Sequence, residues 1–100
     1  MDVPEDAAYC IEFFRAKVGC REQLKEALLQ LAEKSKVEDG CLRYDVLCDD
    51  KDQNLFILIL IYRDQAAMRL HEAQPYISEF SDNKMKNLCK DFSWHDASLA

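Results

Sequence analysis

Glycine and proline are scarce in this 100-residue chain, with two of each. Flexible Gly/Ser linkers and Pro-rich spacers are therefore excluded, and breaks between elements must fall at few places. Positive charge is also scarce. Thirteen Lys and Arg against nineteen Asp and Glu leave a net charge of -6 and a pI near 4.8. An acidic surface repels phosphate backbones and anionic headgroups, so neither nucleic acid nor a membrane is expected as a partner. The longest apolar run, Leu55 to Ile61, is far shorter than the roughly 20 residues a membrane-crossing helix needs. The opening MDVPEDAA is acidic and has no apolar core, so no secretory signal is expected and the expected location is cytoplasmic. Cysteine is present but unpatterned. Cys10, Cys20, Cys41, Cys48 and Cys89 are odd in number and lack CxxC spacing, which argues against a zinc site or a disulfide framework. Cys10, Cys41 and Cys48 fall in expected strands, where a reduced thiol packs as a small hydrophobe.

What is present is enough for one small core: 49% of residues are hydrophobic and 32% charged, as in ordinary globular domains. The domain is expected over residues 9–96, with tails at 1–8 and 97–100. Tyr9 to Lys17 (YCIEFFRAK) is aromatic and β-branched enough for a strand, stopped by Gly19. Arg21 to Glu38 has helical spacing, with Leu24, Ala27, Leu28, Leu31 and Ala32 on one stripe, and Gly40 suits its C-terminal stop. Cys41 to Cys48 puts Leu42, Tyr44 and Val46 on one side and Arg43 and Asp45 on the other. The polar turn DDKDQN leads into the strand Leu55 to Tyr62. Asp64 caps a short helix through Leu70 or His71. Pro75 opens another helical segment with Tyr76, Ile77, Phe80, Met85 and Leu88 on its apolar face, and Phe92 to Trp94 forms a short last strand.

Strand, helix, strand, strand, helices, strand is the split βαβ pattern. It predicts a ferredoxin-like α+β fold (βαββαβ), an antiparallel sheet with helices on one face. Leu55 to Tyr62 does not alternate, and Phe13 and Phe14 sit side by side on the first strand. Apolar residues therefore point to both sides of the sheet. The helices cover one face, and the simplest cover for the other is a second copy, so a homodimer through the sheet face is expected. A ligand cavity between sheet and helices is compatible with it.

Candidate chemistry centres on His71, at the end of a short helix four residues before Pro75 and able to titrate near neutrality. His95, near the chain end, is the weaker candidate. Tyr62 ends the apolar strand and Tyr44 lies on the apolar side of its own, so either phenol can border a pocket. Ser35 and Glu38 end the long helix and reach a ligand if the pocket opens there. A calcium loop starting at Asp50 fails, because Leu55 and Ile61 stand where glycine and glutamate are needed. No phosphate loop, nucleophile elbow or H-E-x-x-H occurs. The residues by themselves reach a dimeric α+β domain with an aromatic pocket.

Taken in order, SKVEDGCLRYDVL (Ser35 to Leu47) and YRDQAAMRLHEAQPYISEF (Tyr62 to Phe80) resemble the antibiotic biosynthesis monooxygenase family, small dimeric α+β barrels. Ser35, Glu38, Gly40, Tyr44, Tyr62, Asp64, Ala67, His71, Pro75 and Phe80 take the family's places at its spacing, and the likeness runs from about Cys10 to Phe80. The resemblance implies a monooxygenase without cofactor that acts on a quinol or another electron-rich phenol, whose own ring reduces dioxygen. His71 would be the catalytic residue, with Tyr62, Tyr44, Ser35 and Glu38 binding a small aromatic or carbonyl substrate. A second branch isomerises a small phosphorylated dione and would draw on Arg15, Arg43 and Arg63 for phosphate. A haem-degrading branch has an asparagine on the first strand, which YCIEFFRAK lacks. Two places depart from the family pattern: Leu60 stands where glutamate is common, and Tyr62 where tryptophan is common. Leu60 implies a greasier pocket with thin polar content, and it keeps open a non-catalytic dimeric ligand-binding module.

Overall fold

A computed structural model of the chain describes residues 2–100. The elements are β1 (Ala8–Ala16), α1 (Arg21–Lys36), β2 (Cys41–Cys48), β3 (Leu55–Tyr62), α2 (Gln65–Glu72) and α3 (Pro75–Glu79). A single π turn over Phe80–Lys84, α4 (Met85–Leu88) and β4 (Cys89–Ser98) complete the chain. The sheet order is β2-β3-β1-β4 with every neighbouring pair antiparallel, the ferredoxin-like α+β arrangement.

Alternation decides which side chains meet the helices. On β1, Ala8, Cys10, Phe14 and Ala16 are buried, and on β3 so are Phe56, Leu58, Leu60 and Tyr62. Leu24, Ala27, Leu28, Leu31, Ala32 and Ser35 of α1 pack against the sheet at three- and four-residue spacing. The outer face keeps Tyr9, Ile11, Phe13, Leu55, Ile57 and Ile59 half-buried, an apolar row that the chain's own helices do not cover.

Three details differ from the expectations. Helix α1 stops at Lys36 rather than Glu38. Glu38 N–H donates back to Ser35 O, Cys41 N–H donates to Glu38 O, and Gly40 takes a left-handed φ of 94°. Glu38 is thereby a turn residue. On β2, Cys41 pairs with Tyr62 and Arg43 with Ile61, so Leu42 is bulged. Cys41, not Leu42, packs with Tyr44 and Val46 against the core. The last strand spans Cys89–Ser98, far longer than Phe92 to Trp94, because it pairs with all of β1. That pairing sets Ala8 opposite Ser98, and Ala7 and Ala8 are buried.

The polar hairpin between β2 and β3 uses its carboxylates on its own backbone. Asp49 accepts from the Lys51 and Asp52 N–H groups, and Asp52 accepts from Asn54 N–H. Among the described residues, no helix is long and apolar enough to cross a membrane.

Candidate active site

Helix α2 begins where Asp64 accepts a hydrogen bond from Ala67 N–H at 2.8 Å. That start sets Ala67, Met68 and His71 on one inward stripe, all buried. Gly40 makes the close approach of this helix possible: a Cβ there would stand 2.8 Å from the Ala67 Cβ. Arg63 N–H donates to Gly40 O at 2.8 Å, fixing the turn against the end of β3.

These constraints bring Glu38 and Tyr62 to one nitrogen of His71. The Nδ1 atom lies 2.9 Å and 3.2 Å from the Glu38 carboxylate oxygens and 2.8 Å from the Tyr62 hydroxyl. Tyr62 donates to Glu38 Oε1 at 2.5 Å. The side chains of His71 and Glu38 are 5% and 13% exposed, so the pair is almost dry. Burial, followed by the hydrogen bond to Glu38, pushes the Tyr62 hydroxyl far above the usual phenol range. Tyr62 stays a neutral donor, and the carboxylate is best satisfied when His71 carries its proton on Nδ1. Nε2 is then the acceptor nitrogen, with no protein partner among the described residues.

His71 lines a cavity of about 400 Å³ between the inner sheet face and the helices. Phe14, Tyr44, Phe80, Phe92 and Trp94 supply aromatic walls, with Leu31, Leu60, Met68, Ile77 and Met85 between them. Phe92 stacks on Trp94 at 6.0 Å, and the Tyr44 ring meets His71 edge-on at 5.9 Å. Phe80 and Ser81 enter from the π turn, where the Met85 N–H reaches back five residues to Phe80 O.

The candidate residues thus divide. His71 and Tyr44 border the cavity. Tyr62 and Glu38 stand behind His71 and hold it. Ser35 is wholly buried beside the Tyr44 hydroxyl, and its Oγ has no well-formed hydrogen bond. Burial, the charge of Glu12 and lesser neighbours raise Tyr44 well above the phenol range, against a small opposing effect of Ser35. Tyr44 therefore presents a neutral hydroxyl. His95 lies on the outer face, edge-on to Phe13 at 6.1 Å, away from this cavity.

Sequence reasoning missed Glu12. It shares the inward side of β1 with Cys10 and Phe14, pairs in register with Leu58 and Trp94, and lines the cavity. Burial, helped by Glu72 and Asp96 and opposed by Cys10, raises its carboxyl from the usual range to about 7. The expectation of thin polar content is corrected accordingly. The carboxylate absent at Leu60 on β3 is present on the adjacent strand, two pairs along, where Glu12 faces Leu58. The available signal was period two: Ala8, Cys10, Glu12, Phe14 and Ala16 hold a single charge in an otherwise apolar row.

An aromatic-walled cavity closed by a braced histidine, on a ferredoxin-like sheet, defines a class of small α+β proteins. The chain belongs to the antibiotic biosynthesis monooxygenase family, whose profile it matches over residues 8–83. Over 58 residues it is 33% identical to an uncharacterised protein of Synechocystis sp.; the match covers 58% of this chain but only 40% of that protein. Over 68 residues it is 25% identical to YcnE of Bacillus subtilis, provisionally named a monooxygenase, covering 68% of this chain and 72% of that one. Among solved structures, protein SO0527 from Shewanella oneidensis superposes with a TM-score of 0.92 at 23% identity. It covers 98% of this chain and 95% of its own, a likeness of fold.

Proposed function

We propose that the protein is a cofactor-independent monooxygenase of a quinol or another electron-rich phenol, with His71 as the base. The observation that carries the proposal is the bracing of His71 Nδ1 by Glu38 and Tyr62 on the wall of an aromatic cavity. Family membership supports the reaction class. Nε2 takes the phenol proton, and Glu38 stabilises the imidazolium that forms. The phenolate then carries enough electron density to reduce dioxygen, forming a carbon–oxygen bond at a hydrogen-bearing ring position, para to it in a simple phenol and ortho to it in a quinol. Loss of the ring hydrogen and cleavage of the O–O bond leave a quinone and one water. One phenol and one dioxygen thus balance one quinone and one water, with all four electrons drawn from the substrate. The volume suits a two- or three-ring molecule, since small-ligand sites commonly span roughly 300–1,000 Å³.

The phosphorylated-dione reading loses its cations. Arg15 pairs with Asp52 and Asp91, Arg43 with Asp45, and Arg63 with Asp39 and Asp64; none of the three borders the cavity. Leu60, on the cavity wall, favours a binding module as the second reading. A homodimer through the outer sheet face belongs to the proposal, because Ile11, Phe13, Ile57 and Ile59 leave an apolar row there.

Oxygen uptake with hydroquinones and hydroxynaphthalenes, corrected for autoxidation, tests the proposal in wild type and His71→Ala. Uptake that falls at least about 100-fold in the variant is expected for loss of the base. Uptake no faster than the blank with every substrate would leave the binding module.

A further inference from the structure

The Glu12 carboxyl faces an aromatic wall with little to satisfy it. Its one hydrogen-bond partner among the described residues is the Cys10 thiol, a weak donor 3.9 Å from Oε2. The carboxyl is half-buried on the cavity wall, and no N–H or O–H of the described residues reaches it, so its acceptor positions open to the cavity. No arginine or lysine borders the cavity; the charged residues that do are Glu12 and the more exposed Glu72. The groups that act on Glu12 are Cys10 on its own strand, Asp96 on β4 and Glu72 on α2. Tyr44 of β2 and His71 of α2 share the cavity with it.

We propose that Glu12 makes the cavity selective for phenols that are uncharged or carry an amine, and against anionic ones such as sulfonates, carboxylates and phosphates. The inference rests on the phenol reading above and adds the charge of its substrate. The second O–H of a quinol, the first being held by His71, or an ammonium N–H supplies a donor to Glu12. An anionic group there adds a third negative charge to a low-dielectric wall, a repulsion of kcal/mol order at the several-ångström separations of a cavity this size. The carboxyl gains its proton near neutral pH, so discrimination is strongest on the alkaline side. A Glu12 variant separates its contribution from that of the other groups on the wall.

The test is anaerobic calorimetric titration with 1-naphthol, a naphthol sulfonate and an aminomethyl naphthol at pH 8.5 and 5.5. Trp94, the single tryptophan, borders the cavity and locates binding by its fluorescence. At pH 8.5 the sulfonate is expected to bind at least about tenfold more weakly than naphthol, and the amine at least as tightly. Glu12→Gln, checked for folding by circular dichroism, should bring the sulfonate within about threefold of naphthol and flatten the difference between the two pH values. Equal binding of sulfonate and naphthol by the wild type would overturn the inference. So would discrimination that survives unchanged in Glu12→Gln. Binding of none of the three would overturn the phenol reading itself, and the charge rule with it.

Discussion

Glu38 Oε1 lies 2.9 Å from His71 Nδ1, although 33 residues separate them in the chain. The contact does for a cavity-facing imidazole what a carboxylate does in a hydrolase triad: it selects the tautomer and holds the ring. Glu38→Gln keeps the shape but offers an amide that no longer stabilises the imidazolium. With a phenol that the wild type turns over, kcat is expected to fall by roughly 100-fold or more, with KM changed only a few-fold. Steady-state oxygen uptake separates the two constants.

Tyr62→Phe removes a buried donor that serves Glu38 and touches His71. The carboxylate loses one of its two partners while the ring still packs against His71 at 4.9 Å. A stability loss of about 1–3 kcal/mol is expected, read as a lower urea midpoint at unchanged slope.

Glu12 gives stability a pH dependence of known sign. Folding raises its carboxyl from 4.5 to about 7. Between those values the folded chain keeps a proton that the unfolded chain has lost, so this group's contribution to stability falls as pH rises through the window. Glutamine cannot titrate. The stability of Glu12→Gln relative to wild type should therefore rise between pH 4.5 and 7 and level off above pH 8, by at most about 3 kcal/mol in all. Urea unfolding of both proteins across that range checks it. A difference that shrinks with rising pH would contradict the burial of this carboxyl.

Gly40→Ala places a methyl 2.8 Å from the Ala67 Cβ and forces a φ of 94° on a residue that avoids it. A loss of more than about 1 kcal/mol is expected from the backbone alone. Because α2 must retreat to admit the methyl, His71 moves away from Glu38, and activity should fall further than stability alone explains.

Ile59→Lys places a charge in the middle of the outer apolar row, in register with Ile11 and Asp45. If two copies pack through this face, the variant should sediment as a monomer while keeping its circular dichroism. An unchanged sedimentation coefficient would remove the sheet-face dimer.

The helical stripe of α1, the unalternating strand Leu55–Tyr62 and the Asp64 cap were legible because each follows from local periodicity or local hydrogen bonding. The ordered residues from Ser35 to Phe80 carried the family. His71 and Tyr44 were legible as cavity candidates for the same reason. Glu12 was not: a glutamate in an apolar strand reads as a solvated edge until the neighbouring strand shows which way it points. The bulge at Leu42 and the full length of β4 were likewise hidden, since register and pairing are set between strands and not within them.

The sequence alone determined the order of elements, the two-sided apolar strand and the family. Tertiary structure decided that Glu38 and Tyr62 stand behind His71 and off the cavity wall, and that Glu12, Phe92 and Trp94 line it. The division has one physical cause. Periodicity specifies the face on which a residue lies, whereas only the packing of α2 over the four-stranded sheet specifies which faces meet.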